Sequence, residues 1–142
     1  MIEYVKNGEQ LLAIIVRNRY EQKGLKFFTS EKAGQQIGCV GHPKGLSVDA
    51  HVHNMVKREV FYTSETLIIK KGKVRADIYD NNKKYIESKI LEPGDVILFT
   101  DGGHGFKFLE DCQMVEIKQG PYADTYDKVR FKGIEDSQAV LK

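Results

Sequence analysis

Four side chains have the residue types and spacing to do chemistry together. His51 and His53 flank Val52. In an extended segment, residues at i and i+2 point to the same face, so the two rings can converge on one ion. Two imidazoles do not make a site. A carboxylate at Glu65 and a third imidazole at His104, directly after Gly102-Gly103, supply the donors that could complete one. Glu59 is a rival for the carboxylate, because only five residues separate it from His53 whereas eleven separate Glu65. On a straight strand Glu59 would share the histidine face but lie about 20 Å from His53, at roughly 3.3 Å per residue. A turn after Asn54 would remove that objection, so both carboxylates stay open.

Further residues have a chemical reading beside a bland one. Glu116 alternates with Val115 and Ile117; if its face looks inward, it is an acid or base candidate near the ion. Phe106 shares parity with His104 and could floor a pocket, although core packing is its commoner fate, as for Phe108. His42, beside Pro43 in a turn, reads as a surface residue. Cys39 and Cys112 have no close spacing to each other or to a histidine pair, and are expected to be small buried hydrophobes of a reducing compartment.

The elements that must carry these groups read as short strands. Residues 11–16, Leu-Leu-Ala-Ile-Ile-Val, form an apolar run suited to a strand buried on both faces or lying on a dimer seam. Strands are also expected over 25–29, 35–41 and 46–53, the last delivering the two histidines. Residues 65–80, with Gly72 between two strand-like halves, predict a hairpin. Further strands follow over 84–91, 96–99, 104–108 and 113–118. Nine or ten short strands with no helix of ten residues argue an all-β barrel or sandwich. From 124 to 142 the pattern decays, and that tail is expected on the surface, over a sheet edge, or frayed.

Bulk properties narrow the partners. A chain of 142 residues suits one domain, 1–142, with its own core. Lys+Arg of 22 against Asp+Glu of 20 leaves a net charge of +2. The basic residues are scattered, which disfavours nucleic acid. No apolar run is long enough for a signal core or a membrane span, so the cytoplasm is the expected compartment. The 11–16 strand and the need to cover sheet edges predict a homodimer.

Gly45, then His51-x-His53, then Glu65 followed after six residues by Gly72, resembles the first cupin motif. Pro93-Gly94-Asp95 with His104 is similar to the second. The resemblance covers about residues 45–108. It implies a single-domain cupin-type β-barrel, a double-stranded β-helix or jelly roll with little helix. Its interior would hold one divalent transition metal on His51, His53, Glu65 and His104. The gap between His53 and Glu65 is longer than the family pattern, and Thr100 stands where proline is usual; the longer gap would make 54–64 an insertion at the barrel mouth. Borderline nitrogen donors with one hard oxygen suit iron(II), manganese, nickel, cobalt or zinc alike. Positions left open on the ion could chelate a hydroxy-acid, keto-acid or diol, the metal acting as a Lewis acid.

Two classes of function follow. One is a metal-dependent enzyme on a sugar, keto-acid or hydroxy-acid, of isomerase or dioxygenase type; among cupins, the chain most resembles the short ones associated with sugar and polysaccharide synthesis. The other is a non-catalytic carbohydrate-binding or sensor barrel. No nucleophile triad, P-loop or dinucleotide glycine motif is visible.

Overall fold

A computed structural model describes every residue except Tyr122, Asp124 and Thr125. The first residues of the expected tail therefore lie outside the described set. The chain divides into two compact units, Met1–Tyr20 with Thr63–Lys142, and Glu21–Tyr62.

The larger unit is built of antiparallel strands, as the sequence led one to expect. Strands β1 (Ile2–Asn7) and β2 (Gln10–Val16) form a hairpin. Then come β5 (Glu65–Lys71), β6 (Val74–Tyr79), β7 (Tyr85–Leu91), β8 (Val96–Phe99), β9 (Gly103–Phe108) and β10 (Gln113–Lys118). They sort into a five-stranded sheet, β1-β2-β8-β5-β10, and a three-stranded one, β7-β6-β9. Neither sheet closes on itself. Both contribute to one core: Leu12, Ala13, Ile15, Leu67, Ile69 and Ile97 from the first, and Val74, Ala76, Ile78 and Leu91 from the second. Each fully buried Leu or Ile contributes about 1.5–3 kcal/mol by leaving water.

The expected hairpin around Gly72 is not formed. Its two strands exist, but β5 pairs with β8 and β10, whereas β6 pairs with β7 and β9. The turn at Gly72 carries the chain from one sheet to the other. Every residue of β6 is buried, so it needs a neighbour on each side. Gly72 has φ +77°, and a Cβ there would lie 2.1 Å from the Asp111 carbonyl oxygen. Both facts exclude a larger residue.

The Pro-Gly-Asp turn has its own role. Asp95 accepts from the Asn18 N–H at 2.9 Å, the Glu92 N–H at 3.1 Å and the Arg17 guanidinium at 2.8 Å. Arg17 also donates to Glu3 at 2.5 Å and to the Ile90 carbonyl at 2.7 Å. One buried carboxylate thus fastens the loop after β2 to the turn before β8.

Strand β2 is buried on both faces, with Leu12, Ala13, Ile14 and Ile15 at 0% exposure between β1 and β8. Its apolarity is satisfied within one chain, which removes the ground for placing it on a dimer seam. The tail does cover a sheet edge. Ser88 of β7 bridges Leu141 in parallel, with the Ser88 N–H donating to the Val140 carbonyl at 2.9 Å.

The smaller unit holds one hairpin, β3 (Gly24–Phe27) with β4 (Gly38–Gly41). Residues 46–53, expected as a strand, form none. An extended segment is stable only with a ladder partner for its N–H and C=O groups, and no strand pairs with this one among the described residues. Val52 is 89% exposed. Cys39 and Cys112 are free and only half-buried. Phe108, expected in the core, is exposed although it shares the face of Phe106, because it is the last residue of β9, at the rim of the core. No described helix is long and apolar enough to cross a membrane.

Candidate functional site

Alternation along β6 and β9 decides what faces where. Val74, Ala76 and Ile78 point into the core, leaving Arg75, Asp77 and Tyr79 on the opposite face. The register pairs Ile78 with His104 and Ala76 with Phe106, so His104 and Phe106 share the core-facing side. Gly103, Gly105 and Lys107 share the other. A cleft of about 790 Å³ is lined from both sides of β9. It therefore runs around the edge of β9 that is not paired to β6.

At the core-facing end, His104 Nε2 lies 2.9 Å from Glu65 Oε2. Glu65 sits on the inner face of β5 with Leu67 and Ile69, both buried in the core. The Glu65 carboxyl is held below its ordinary value of 4.5 by the His104 hydrogen bond, against an opposing push from burial, with smaller help from His104, Lys128 and Lys118 charges. An ionised carboxylate only accepts, so His104 donates its Nε2 proton and the lone pair of a neutral ring falls on Nδ1. The ring stacks on Phe99, with centroids 4.1 Å apart and planes 16° off parallel, and Phe106 tilts against it at 5.3 Å. The imidazole is thus fixed by a carboxylate at its edge and an aromatic on its face.

Glu116 and Lys118 extend this array. The pairings Met114 with Ile69, Glu116 with Leu67 and Lys118 with Glu65 put Glu116 on the inward face. Lys118 Nζ stands 3.1 Å from Glu116 and 3.9 Å from Glu65. Glu116 is nonetheless about half exposed and does not line the cleft.

Of the two glycines before His104, Gly102 is required by its backbone and by close approach, and Gly103 lies tight against the tail. Gly102 has φ +73°, and a Cβ on it would lie 2.2 Å from the Tyr79 carbonyl oxygen. A Cβ on Gly103 would press on the Phe131 ring at 3.2 Å. Phe131 stands edge-on to Tyr79 at 5.0 Å, and the Tyr79 hydroxyl accepts the Ile134 N–H at 3.0 Å. The tail therefore forms a wall of the cleft. Asp136 anchors that wall to Lys107 and to Arg75, the latter at 3.1 Å. Arg75 is itself clamped by Asp77, which also accepts from the Ser88 hydroxyl at 2.5 Å.

Of the residues singled out by type and spacing, Glu65 and His104 are in contact and Phe106 lies beside them. His51 and His53, in the smaller unit, are exposed; their ring centroids are 5.3 Å apart and His51 Nδ1 lies 3.0 Å from the Asp49 carbonyl oxygen. Glu59, the rival carboxylate, is exposed in that unit and pairs with Lys57 at 2.7 Å. Among the described residues no three His, Cys, Asp or Glu side chains are grouped to hold a metal ion. His51 and His53 belong to the smaller unit, and Glu65 and His104 to the larger. His42 is exposed, as its place in the turn beside Pro43 led one to expect. Residues missed by sequence reasoning are Phe99, Tyr79, Lys128, Arg130 and Phe131, all lining the cleft. Phe131, an aromatic among polar neighbours of the tail, carries no periodic signal by which the wall could have been found. Comparison of the chain with family models, with curated proteins and with solved structures gives no match.

Proposed function

We propose that the cleft around β9 binds a small polar metabolite and that the Glu65–His104 pair moves a proton on it, the chemistry of an isomerase acting on a sugar, keto-acid or hydroxy-acid. The supporting observation is the 2.9 Å contact between His104 Nε2 and Glu65 Oε2 at the base of an accessible cleft. Glu65 fixes the tautomer, and the other ring nitrogen is left to take the proton from a hydroxyl-bearing carbon beside a carbonyl, giving an enediol, and to return it to the former carbonyl carbon while the hydroxyl proton passes to the former carbonyl oxygen. No electrons leave the substrate in that exchange. Aromatic surface from Phe99, Phe106 and Phe131, interleaved with charged groups, suits a polyhydroxylated molecule with apolar ring faces. The test is a thermal-shift panel of sugars, keto-acids and hydroxy-acids against wild type, His104→Ala and Glu65→Gln. Stabilisation of wild type by one class, lost in both variants, is the expected result; equal shifts in all three proteins would refute the assignment.

The spacing of Gly45, His51, His53, Glu65 and Gly72, with Pro93-Gly94-Asp95 and His104, favours a second reading. It is a cupin-type barrel carrying one divalent transition metal on His51, His53, Glu65 and His104. Element analysis of protein purified without chelator decides it. Metal present in wild type and lost in His51→Ala and His104→Ala supports the metal reading, and equal content in all three ends it.

A further inference from the structure

We infer that the metabolite is anionic, and that Lys128 and Arg130 receive its phosphate or carboxylate group. This deepens the cleft reading above and rests on it. The ground is the hydrogen-bonding state of the charged groups lining the cleft. Its carboxylates are already engaged by the protein. Beyond those paired with cations, Asp80 accepts from the Asn82 and Lys84 N–H groups at 2.9 Å each. Asp101 accepts from Gln10 and from the Gly102 N–H at 2.8 Å each, and Asp127 accepts from the Thr63 hydroxyl at 2.6 Å.

The cations divide differently. Arg75 and Lys107 are held by Asp77 and Asp136. Lys83 sits 5.9 Å above the Phe131 ring. Lys128 and Arg130 have no described ion pair or hydrogen bond, yet both line the cleft with Glu65 and His104. Lys128 and Arg130 are therefore the charged groups of the cleft with no described partner of their own to give up when an anion arrives. A guanidinium presents a planar fork that matches two oxygens of a phosphate or carboxylate, and an ammonium beside it adds a point charge. Lys128 is near enough for its charge to act on the Glu65 carboxylate. An oxyanion bound by Lys128 thus lies in reach of the end of the cleft where the proton-moving pair sits.

The experiment is calorimetric titration of the full chain with glucose, glucose 6-phosphate, gluconate and inorganic phosphate, repeated on the double variant Lys128→Ala/Arg130→Ala and on the charge-retaining Lys128→Arg/Arg130→Lys. Circular dichroism checks that each is folded. We expect an anionic probe to bind at least tenfold more tightly than glucose, to lose that advantage in the alanine variant, and to regain most of it in the charge-retaining one. Tighter binding of glucose 6-phosphate than gluconate assigns a phosphate, and the reverse a carboxylate. Glucose binding as tightly as the anions, or anion binding unchanged in the alanine variant, overturns the inference and leaves the cleft reading standing. Failure of every probe to bind overturns both.

Discussion

His104 lies with its Nε2 2.9 Å from the Glu65 carboxylate and its ring stacked on Phe99, although 39 positions separate His104 from Glu65 in sequence. The contact joins β5 of one sheet to β9 of the other. Replacing Glu65 by Gln keeps the shape while removing the charge that orients the ring. Since a positioned acid or base contributes about 10²–10⁴-fold, proton-transfer activity is expected to fall by at least about 10-fold in Glu65→Gln and 100-fold in His104→Ala. Steady-state kinetics on any substrate that emerges from the panel would check this; an unaltered kcat/KM in Glu65→Gln would reject the orienting role.

The Asp95 carboxylate holds two backbone N–H groups and one guanidinium. Asp95→Ala leaves the Asn18 and Glu92 N–H groups without that acceptor while Arg17 keeps Glu3 and Ile90, and each buried donor left unsatisfied costs about 1–3 kcal/mol. Urea denaturation should show the midpoint falling with no change in slope. A loss below about 1 kcal/mol would show that water replaces the carboxylate.

Strand identity was legible from alternation and turn residues, and nearly every strand of the larger unit was expected where it occurs. Pairing was not. The residues flanking Gly72 alternate as a hairpin would, yet β5 and β6 enter different sheets, because local pattern records which side of a strand is buried and not which neighbour completes its ladder. Glu65 and His104 were readable from type and spacing. Phe131 was not, since a single aromatic in a polar stretch has no period to reveal what it packs on. The strand expected at His51 and His53 failed for a related reason: extended propensity without a hydrogen-bonding partner does not make a strand.

Phe131 anchors the tail by its edge-on contact with Tyr79 and its approach to Gly103. Phe131→Ala removes a half-buried ring, so a cost of about 1–2 kcal/mol is expected, below the 3–5 of a fully buried one. Limited proteolysis should then cleave within residues 127–136 faster than in wild type. An unchanged cleavage pattern would show that Asp136 and the bridge to Ser88 suffice to hold the segment.

Glu3 gives a pH signature. Burial acts to raise its carboxyl, but hydrogen bonds and charge from Arg17 and Lys89 outweigh it, and the group lies below its ordinary value of 4.5. A carboxyl depressed in the folded state contributes stability that is present above its unfolded value and is lost as pH falls through its folded value. The stability difference between wild type and Glu3→Gln should therefore be largest near neutrality and shrink below pH 4.5. Denaturation curves from pH 7 to about pH 3 test this, and a difference that stays constant across the range would contradict it.

The most direct test of proton movement at Glu65–His104 is deuterium wash-in, followed by NMR, at the carbon beside the carbonyl of whichever panel member binds. Wild type in deuterium oxide is expected to label that carbon, with the rate down at least about 100-fold in His104→Ala. Labelling at the same rate in both proteins, or none by wild type with the bound molecule saturating, would contradict the proposed chemistry.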